Sequence, residues 1–324
     1  MPIYRKIAKM VRSQPLLWRA LHPPHDFMTQ RLRELRVWRE YSDRLSASAF
    51  RGNLLVRDAI HKGAPAAIGK IGSLESEVLT TYVARREGRT GTYGPEMCEQ
   101  LFVNVGFFPT LEPAIDKFCE IFLSAVEAMD ILAAWGPPGE PALIRRYAGG
   151  AKLIQYNALE PYRFAEPWSA ALEGKRVLVI HPFTETIAKQ VALRDKIWTD
   201  RPVLPKFELA TLKMPLSPAL QRSAFNSWFD LLEHLKERIT QTNFDVALIG
   251  AGGMSLPLAH FVKSIGRIGI HTGGSTQLLF GILGRRWEAH CHRDLRQHFN
   301  EHWTRPSGEE APTASAKIEQ GCYW

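Results

Sequence analysis

The chain has few cysteines and no long apolar run, and each absence excludes some classes of protein. Its four cysteines, Cys98, Cys119, Cys291 and Cys322, form no CxxC spacing, which argues against a disulfide framework and indicates a reducing compartment. No stretch approaches about 18 uninterrupted apolar residues, and the first residues lack the apolar core of a signal peptide. We therefore expect a cytoplasmic protein that neither spans a membrane nor is exported.

Beyond residue 62, the chain has no excess of basic over acidic residues. Residues 1–62 carry 13 Lys and Arg against 5 Asp and Glu, whereas the other 262 residues carry 28 of each sign. The formal net charge of +8 therefore belongs to the N-terminal part, and a nucleic-acid-binding surface is not expected. Residues 2–21 mix basic and apolar side chains around Pro15. This pattern predicts a short amphipathic element that either lies on an anionic membrane surface or packs as a solvated helix.

From residue 65 onward, short apolar runs alternate with helix-like stretches. This alternation predicts an α/β fold, a Rossmann-like, doubly wound and mostly parallel sheet preceded by an N-terminal helical extension. The predicted parts are a basic helical extension over 1–62, an α/β domain with the site over 63–303, and a tail over 304–324. The tail is rich in Pro, Gly and small polar residues, which predicts disorder. The predicted strands are Ala66–Ile71, Asp130–Ala134, Lys152–Tyr156, Arg176–His181, Glu208–Leu212, Asp245–Gly250 and Arg267–His271.

Helical periodicity fills the intervals between these strands. The longest predicted helix covers Pro218–Gln241, with Ser217 or Ser223 as its N-cap. The other predicted helices are Glu75–Arg86, Pro95–Val103, Leu111–Ala128, Glu185–Arg194, Met254–Ser264 and Ser275–Gly281.

Ligands of open α/β sheets bind beyond the carboxyl ends of the strands, so the residues after each strand are the first candidates for a site. The first strand runs into Lys70, then through Gly72 and Ser73 to Glu75. Glu75 at this position is suited to bind a divalent cation or to act as a base. The alternative is helix capping, in which Ser73 is the N-cap and Glu75 interacts with the helix dipole.

The fourth predicted strand ends in His181, Thr184 and Glu185. A neutral histidine at the rim can act as a base, and threonine hydroxyls can bind phosphate. A single histidine at a strand end is otherwise a structural residue. The clustering of the three side chains makes the functional interpretation about as strong as the structural one.

The sixth predicted strand enters a glycine-rich turn at Gly250, Gly252 and Gly253, before a helix. Free backbone N–H groups at such a turn bind anions, which predicts a phosphate site; a turn without any ligand is the alternative. No glycine follows at the third position of a GxGxxG fingerprint, and GxxxxGK[ST] is absent from the sequence. A dinucleotide site and a P-loop are therefore not predicted.

The seventh predicted strand ends in a second histidine and a pair of glycines. Two neighbouring anion-binding turns fit a nucleoside diphosphate better than a single phosphate. Downstream, Arg285 or Arg286 can neutralise phosphate charge or remain a surface residue. The candidate binding residues in this turn are His271, Gly273, Gly274 and Ser275.

The order of these motifs resembles that of the GT-D-type glycosyltransferases of bacterial surface polysaccharide and glycoprotein assembly. The resemblance covers about residues 65–287, with the strand-turn carboxylate first, followed by the segments KRVLVIHPF, DVALIGAGG and IGIHTGG. It implies a Rossmann-like fold, a nucleotide-sugar donor such as a UDP-hexose, and a divalent cation, Mn or Mg, held by a DxE motif.

The matching DxE segment departs from the family pattern, since Ser73 stands at the first acidic position and Glu75 at the second. The resemblance thus implies Glu75 as the metal ligand, with weaker dependence on the metal. Lys70, Arg163 or Lys189 would then supply part of the neutralising charge. Glu75, His181 and Glu185 all remain candidates for the base that deprotonates the acceptor.

These observations predict a glycosyltransferase that moves a sugar from a nucleotide-diphosphate sugar to a surface-polysaccharide or lipid-linked glycan acceptor. We expect it in the cytoplasm, or peripherally on the inner face of the cytoplasmic membrane through residues 2–21. Two alternatives remain. A glycine-rich turn also binds S-adenosylmethionine, which would make the chain a methyltransferase of polysaccharide biosynthesis, and Ser73 in place of Asp is compatible with a non-catalytic nucleotide-binding scaffold.

Overall fold

The computed structural model describes residues 37, 39–41, 43–46, 48–89, 92–221, 223–288 and 293–324. The amphipathic element predicted over 2–21 lies outside these residues. In the described part, no helix combines the length and the apolar character needed to cross a membrane.

Seven parallel strands form one sheet in the described residues, with the order β3-β2-β1-β7-β6-β4-β5. All seven strands predicted from the sequence are confirmed, each to within a residue or so at its ends. The sheet is parallel throughout rather than mostly parallel. Its strands are β1 (Ala66–Lys70), β2 (Ile131–Ala134), β3 (Lys152–Gln155), β4 (Arg176–His181), β5 (Glu208–Lys213), β6 (Val246–Ile249) and β7 (Ile268–His271).

Two hydrophobic cores cover the two faces of the sheet. Alternate residues of each inner strand point to opposite cores, for example Ala247 to one and Leu248 to the other. A parallel sheet covered on both faces needs apolar side chains at nearly every strand position, which explains the short unbroken apolar runs in the sequence. The chain first adds β2 and β3 on one side of β1 and then crosses to β4 on the other half. The fold is thus α/β and consistent with a Rossmann-like, doubly wound architecture.

Helices connect the strands in the predicted alternation. The segment between β1 and β2 contains a one-turn π-helix, Leu101–Val105, directly after a short α-helix. The α-helices are α1 (Ala49–Lys62), α2 (Ser73–Arg86), α3 (Pro95–Gln100), α4 (Glu112–Glu127), α5 (Glu140–Tyr147), α6 (Thr184–Val191), α7 (Arg194–Ile197), α8 (Trp228–Thr240), α9 (Ser255–Ser264), α10 (Thr276–Leu279), α11 (Arg285–Glu288) and α12 (Arg293–Arg296).

The prediction of a long helix over Pro218–Gln241 was wrong in its first part. Helix α8 begins only at Trp228, and its N-cap is Ser227, whose hydroxyl accepts a hydrogen bond from Asp230 N at 3.1 Å. Ser217 instead donates its hydroxyl to the carbonyl of Val103 at 3.1 Å. Residues before Trp228 therefore form a loop tied to the π-helix, because Ser217 hydrogen-bonds the backbone of that neighbouring segment.

Residues 304–324 fold back over the carboxyl edge of the sheet in short 3-10 turns, whereas their composition predicted disorder. Glu310 and Ile318 are buried, and the Trp324 indole donates to the carbonyl of Glu310 at 2.6 Å. A few anchoring side chains hold this segment in spite of its Pro, Gly and small polar residues.

At the opposite, amino edge of the sheet, an ion pair joins the starts of β4 and β6. Asp245 accepts hydrogen bonds from the backbone N and the guanidinium of Arg176, at 2.9 and 3.1 Å. The Arg176 guanidinium lowers the pKa of Asp245 to about 2. This carboxylate therefore stabilises the fold above its ordinary pKa, and the contribution is lost as the pH falls towards 2.

Asp245→Asn is expected to lower the free energy of unfolding by about 1 kcal/mol at pH 7, since water screens this half-exposed pair. Asparagine keeps an acceptor for the backbone N–H, so the loss should come mainly from the charge. Urea unfolding at pH 7 and at pH 2 measures the effect, which should shrink at the lower pH. Asp195→Asn, at an exposed carboxylate, is the control; equal losses in both variants would contradict the interpretation.

Candidate active site

The carboxyl ends of β1, β7, β6 and β4, four adjacent strands, open into one cavity of about 460 Å³. This is the edge at which ligands bind in open α/β sheets, and the volume lies in the range of small-molecule sites. Most residues predicted as site residues line it. Those that do so are Lys70, Gly72, Ser73, Glu75, His181, Gly250, Gly252, Gly253, His271, Gly273 and Gly274.

Lys70 ends strand β1 and places its ammonium in the cavity. Its Nζ lies 5.6 Å from the ring centre of Trp135 and 5.7 Å from that of Tyr156. Burial lowers the pKa of Lys70, a shift that the nearby Glu75 partly opposes. Within the described part of the chain, no carboxylate lies within ion-pair distance of Nζ. The charge is therefore left for an anion that enters the cavity.

Arg286 is the second cation that lines the cavity. Its guanidinium pairs with Glu319 and donates to the Tyr323 hydroxyl at 3.3 Å. The same guanidinium lies 4.8 Å from the Tyr323 ring centre. Both partners belong to the C-terminal segment 304–324, which thereby holds Arg286 in place.

Glu75 lies in the first turn of α2, with its carboxylate folded back over Gly72. A Cβ at Gly72 would come within 2.0 Å of Glu75 Oε2, so glycine is required for this close approach. Burial raises the pKa of Glu75, while a hydrogen bond from its own backbone N–H and the charge of Lys70 lower it. The carboxyl group is thus a better proton acceptor than an exposed glutamate.

His181 and His271 end strands β4 and β7 in the same way. The Nδ1 atom of each ring accepts a backbone N–H two residues further on, from Phe183 at 3.0 Å and from Gly273 at 3.2 Å. Burial lowers the pKa of each to about 3, so both rings are neutral at pH 7. The proton of the neutral His181 ring is then on Nε2, where the ring can donate a hydrogen bond but cannot accept a proton. His271 Nδ1 also lies 3.5 Å from the carbonyl oxygen of Ile249, to which it would donate in the other tautomer.

The first glycine turn, Gly250–Gly253, lies at the end of β6. A Cβ at Gly250 would lie 2.5 Å from the His181 ring, and one at Gly253 would lie 2.2 Å from a Val105 methyl carbon. The N–H of Ala251 donates to the hydroxyl of Ser255 at 2.8 Å. The glycines are therefore required for packing, while the N–H groups of Gly252 and Gly253 begin a 3-10 turn at the cavity wall.

The second turn lies at the end of β7, and the C-terminal segment covers part of it. A Cβ at Gly274 would lie 2.3 Å from the Tyr323 ring, and one at Gly273 would lie 3.5 Å from Lys70 Nζ. Ser275 donates its hydroxyl to the carbonyl of Thr272 at 2.7 Å and does not line the cavity. This turn therefore places a backbone loop beside the Lys70 ammonium.

Thr184 and Glu185 do not line the cavity, although the sequence grouped them with His181. Glu185 is exposed and pairs with Lys213 at 3.5 Å. The start of α6, predicted to bind phosphate, faces the buried carboxylate of Glu310 instead. Glu310 accepts hydrogen bonds from Glu185 N at 2.7 Å, Thr186 N at 3.2 Å and the Thr186 hydroxyl at 2.5 Å.

Glu310→Ala is expected to lower the free energy of unfolding by about 3 kcal/mol, because it leaves three donors, two of them on Thr186, without their acceptor. The exposed neighbour provides a matched control, Glu309→Ala, which should change stability by less than about 0.5 kcal/mol. Urea unfolding of both variants measures the difference. Similar midpoints would show that the Glu310 contacts contribute little.

Several cavity residues were missed by the sequence analysis. Trp135 follows β2, while Glu319 and Tyr323 belong to the tail that was set aside as disordered. A signal was available for the tail, because the aromatic pair Tyr323-Trp324 is unusual in a disordered segment. Trp135 could have been found by examining the residue after β2 as well, because ligands of open α/β sheets bind beyond the carboxyl ends of the strands. We call this the strand-end rule.

The metal expected from the resemblance needs several oxygen donors around Glu75. The described residues contain no group of three or more His, Cys, Asp or Glu side chains with metal-binding geometry. The carboxylates that line the cavity are Glu75 and Glu319, of which Glu319 already pairs with Arg286, and Lys70 adds a positive charge nearby. One carboxylate beside an ammonium does not fit a divalent cation.

Comparison with protein-family models, with curated proteins and with solved structures finds no match to this chain.

Proposed function

We propose that the protein is a glycosyltransferase that takes its sugar from a nucleotide-diphosphate donor. The observation that carries this proposal is the cavity at four adjacent strand ends, which is lined by Lys70, by Arg286 and by two backbone turns. Positive charge and free N–H groups at such an edge are suited to a diphosphate. The motif order that resembles GT-D-type glycosyltransferases supports the same reaction class.

The charge of the cavity favours this donor over S-adenosylmethionine. The methyl donor carries a positive sulfonium, which the Lys70 ammonium would repel, whereas a diphosphate carries negative charge. Arg286 adds less to this difference, because Glu319 pairs with it. A methyltransferase would be better served by a carboxylate in place of Lys70. We therefore retain the methyltransferase only as an outcome of the test below.

Sugar transfer requires that the diphosphate leaving group be stabilised as the bond to the anomeric carbon breaks. In our proposal, the Lys70 ammonium and the Arg286 guanidinium provide the positive charge for this step. The N–H groups of Gly252 and Gly253 and the Nε2–H group of the buried His181 add hydrogen bonds. No step is assigned to a divalent cation, because the donors around Glu75 do not fit one.

The acceptor hydroxyl must lose its proton as its oxygen attacks the anomeric carbon. Of the three bases left open by the sequence, Glu75 fits best. His181 holds its proton on the nitrogen that is free to interact with a ligand, and Glu185 lies outside the cavity. Glu75 lines the cavity, and its raised pKa makes it a better proton acceptor than an exposed glutamate.

The acceptor in this proposal is a surface-polysaccharide or lipid-linked glycan. A protein that glycosylates such an acceptor would act in the cytoplasm or at the inner face of the cytoplasmic membrane. The basic segment 2–21 would provide the membrane contact through its attraction to anionic lipids.

Thermal-shift measurements with UDP, GDP, dTDP, CMP and S-adenosylmethionine, each with and without manganese, test the proposal. We expect one nucleoside diphosphate to raise the melting temperature without manganese. The matching sugar donor should then be hydrolysed slowly when no acceptor is present. A shift with S-adenosylmethionine alone would establish the methyltransferase alternative, and nucleotide binding without turnover of any donor would favour the scaffold.

A further inference from the structure

The cavity is chemically two-sided. Its floor, at the strand ends, carries the cations and the glycine turns described above. The other side includes apolar side chains from the end of the π-helix and from the loop after β5, together with the polar Asn104, Ser217 and Ser223. We call this side the apolar wall, and define it as Val105, Phe108, Met214, Pro215, Leu216 and Pro218.

Hydrogen bonds and buried aromatic residues hold the segments of the apolar wall in place. The two segments that form it are joined where Ser217 donates to the carbonyl oxygens of Phe102 and Val103, at 3.3 and 3.1 Å. Trp228 N donates to the carbonyl of Phe108 at 2.7 Å. Behind the wall, Phe107 is fully buried, with its ring centre 4.9 Å from that of Phe118.

Five of the six side chains of the wall remain partly accessible, and only Val105 is buried. Phe102, which lies at the seam between the two segments, is 37% exposed. A concave apolar surface left open beside polar groups is typical of a ligand site.

We propose that the apolar wall binds the hydrocarbon chain of an amphiphilic acceptor, a lipid-linked sugar whose free hydroxyl is the nucleophile. The polar floor selects the class of occupant, because a hydroxylated sugar head fits beside Glu75 while an apolar chain fits the wall. A cavity of about 460 Å³ holds one small ligand. A long hydrocarbon chain would therefore extend beyond the cavity. This inference rests on the proposed function and decides between its two acceptor classes in favour of the lipid-linked one.

Isothermal titration with inorganic phosphate and with geranyl phosphate tests the wall without knowledge of the natural acceptor. Each buried methylene strengthens binding by about fourfold, so geranyl phosphate should bind at least about a hundredfold more tightly than phosphate. Leu216→Asp should remove most of this difference. Leu220→Asp places the same charge in the same loop but outside the cavity lining, and should bind geranyl phosphate like the wild type.

The affinity for a nucleoside diphosphate, measured in parallel, separates this inference from the proposed function. In Leu216→Asp it should change by less than about twofold; a parallel loss would assign the wall to the donor nucleotide and overturn the proposal. Equal affinity of the wild type for phosphate and geranyl phosphate would also overturn it. The protein could also bind geranyl phosphate more tightly than phosphate but bind no nucleoside diphosphate. That result would support the apolar site and contradict the proposed glycosyltransferase function.

Discussion

Lys70→Met is expected to weaken nucleoside diphosphate binding by about ten- to a hundredfold. The substitution keeps a long apolar stem between Trp135 and Tyr156 and removes the ammonium that has no ion-pair partner among the described residues. A charge-assisted hydrogen bond to a phosphate oxygen in a partly enclosed site accounts for a loss of this size. Isothermal titration measures it directly.

The same substitution should raise the melting temperature of the ligand-free protein. Burial lowers the pKa of Lys70, which means that the folded state disfavours its charged form, and methionine removes that cost. Stability and binding are thus expected to change in opposite directions, as is common at functional sites.

Lys213→Met is the matched control, since Lys213 ends β5 at the same edge of the sheet but pairs with Glu185 outside the cavity. It should leave nucleotide affinity unchanged. An equal loss of affinity in the two variants would show that the whole edge attracts the ligand through its general field. An equal loss would therefore contradict a specific role for Lys70 in binding the nucleotide.

Glu75→Gln is expected to lower turnover by about a thousandfold while changing nucleoside diphosphate affinity by less than about threefold. General base catalysis typically contributes a factor of this order, and glutamine keeps the shape of the side chain over Gly72 but cannot accept the proton. Steady-state kinetics with the donor found by thermal shift, or its slow hydrolysis, provides the measurement.

The pH profile separates this role from a structural one. Turnover should fall on the acidic side as Glu75 becomes protonated, with a pKa above the ordinary 4.5 of a glutamate. His181 and His271, whose pKa is about 3, should contribute no step near pH 6.5. The matched control is Glu77→Gln, two residues along the same helix and exposed, which should retain wild-type turnover. A thousandfold loss there, or a histidine-like step near pH 6.5, would contradict the assignment.

The sequence predicted the sheet well because buried parallel strands leave an unmistakable apolar pattern. Runs such as Val177–Ile180 and Val246–Ile249 must be apolar on both sides, so their positions were fixed by burial alone. The start of α8 was misplaced because the choice of N-cap depends on tertiary contacts. Ser217 has the side chain of a cap, but it hydrogen-bonds the backbone of a distant segment.

The candidate site could be predicted only as far as the strand-end rule extends. Lys70, Glu75, His181 and the glycine turns follow strands directly, and the structure brings them to one cavity. The tautomer of His181 depends on the backbone N–H of Phe183, which no sequence pattern reports. Glu310 occupies the start of α6 from 124 residues away in sequence, a contact that only the folded chain reveals.

Hydrogen exchange with and without the nucleoside diphosphate, read by mass spectrometry, tests the central claim most directly. Backbone N–H groups that bind a ligand exchange more slowly in its presence. We predict slower exchange in peptides that contain residues 70–75, 250–254 and 272–276, with no change at the amino edge of the sheet around Asp245. Protection confined to other parts of the chain, with these three peptides unchanged, would contradict the assignment of this cavity as the nucleotide site.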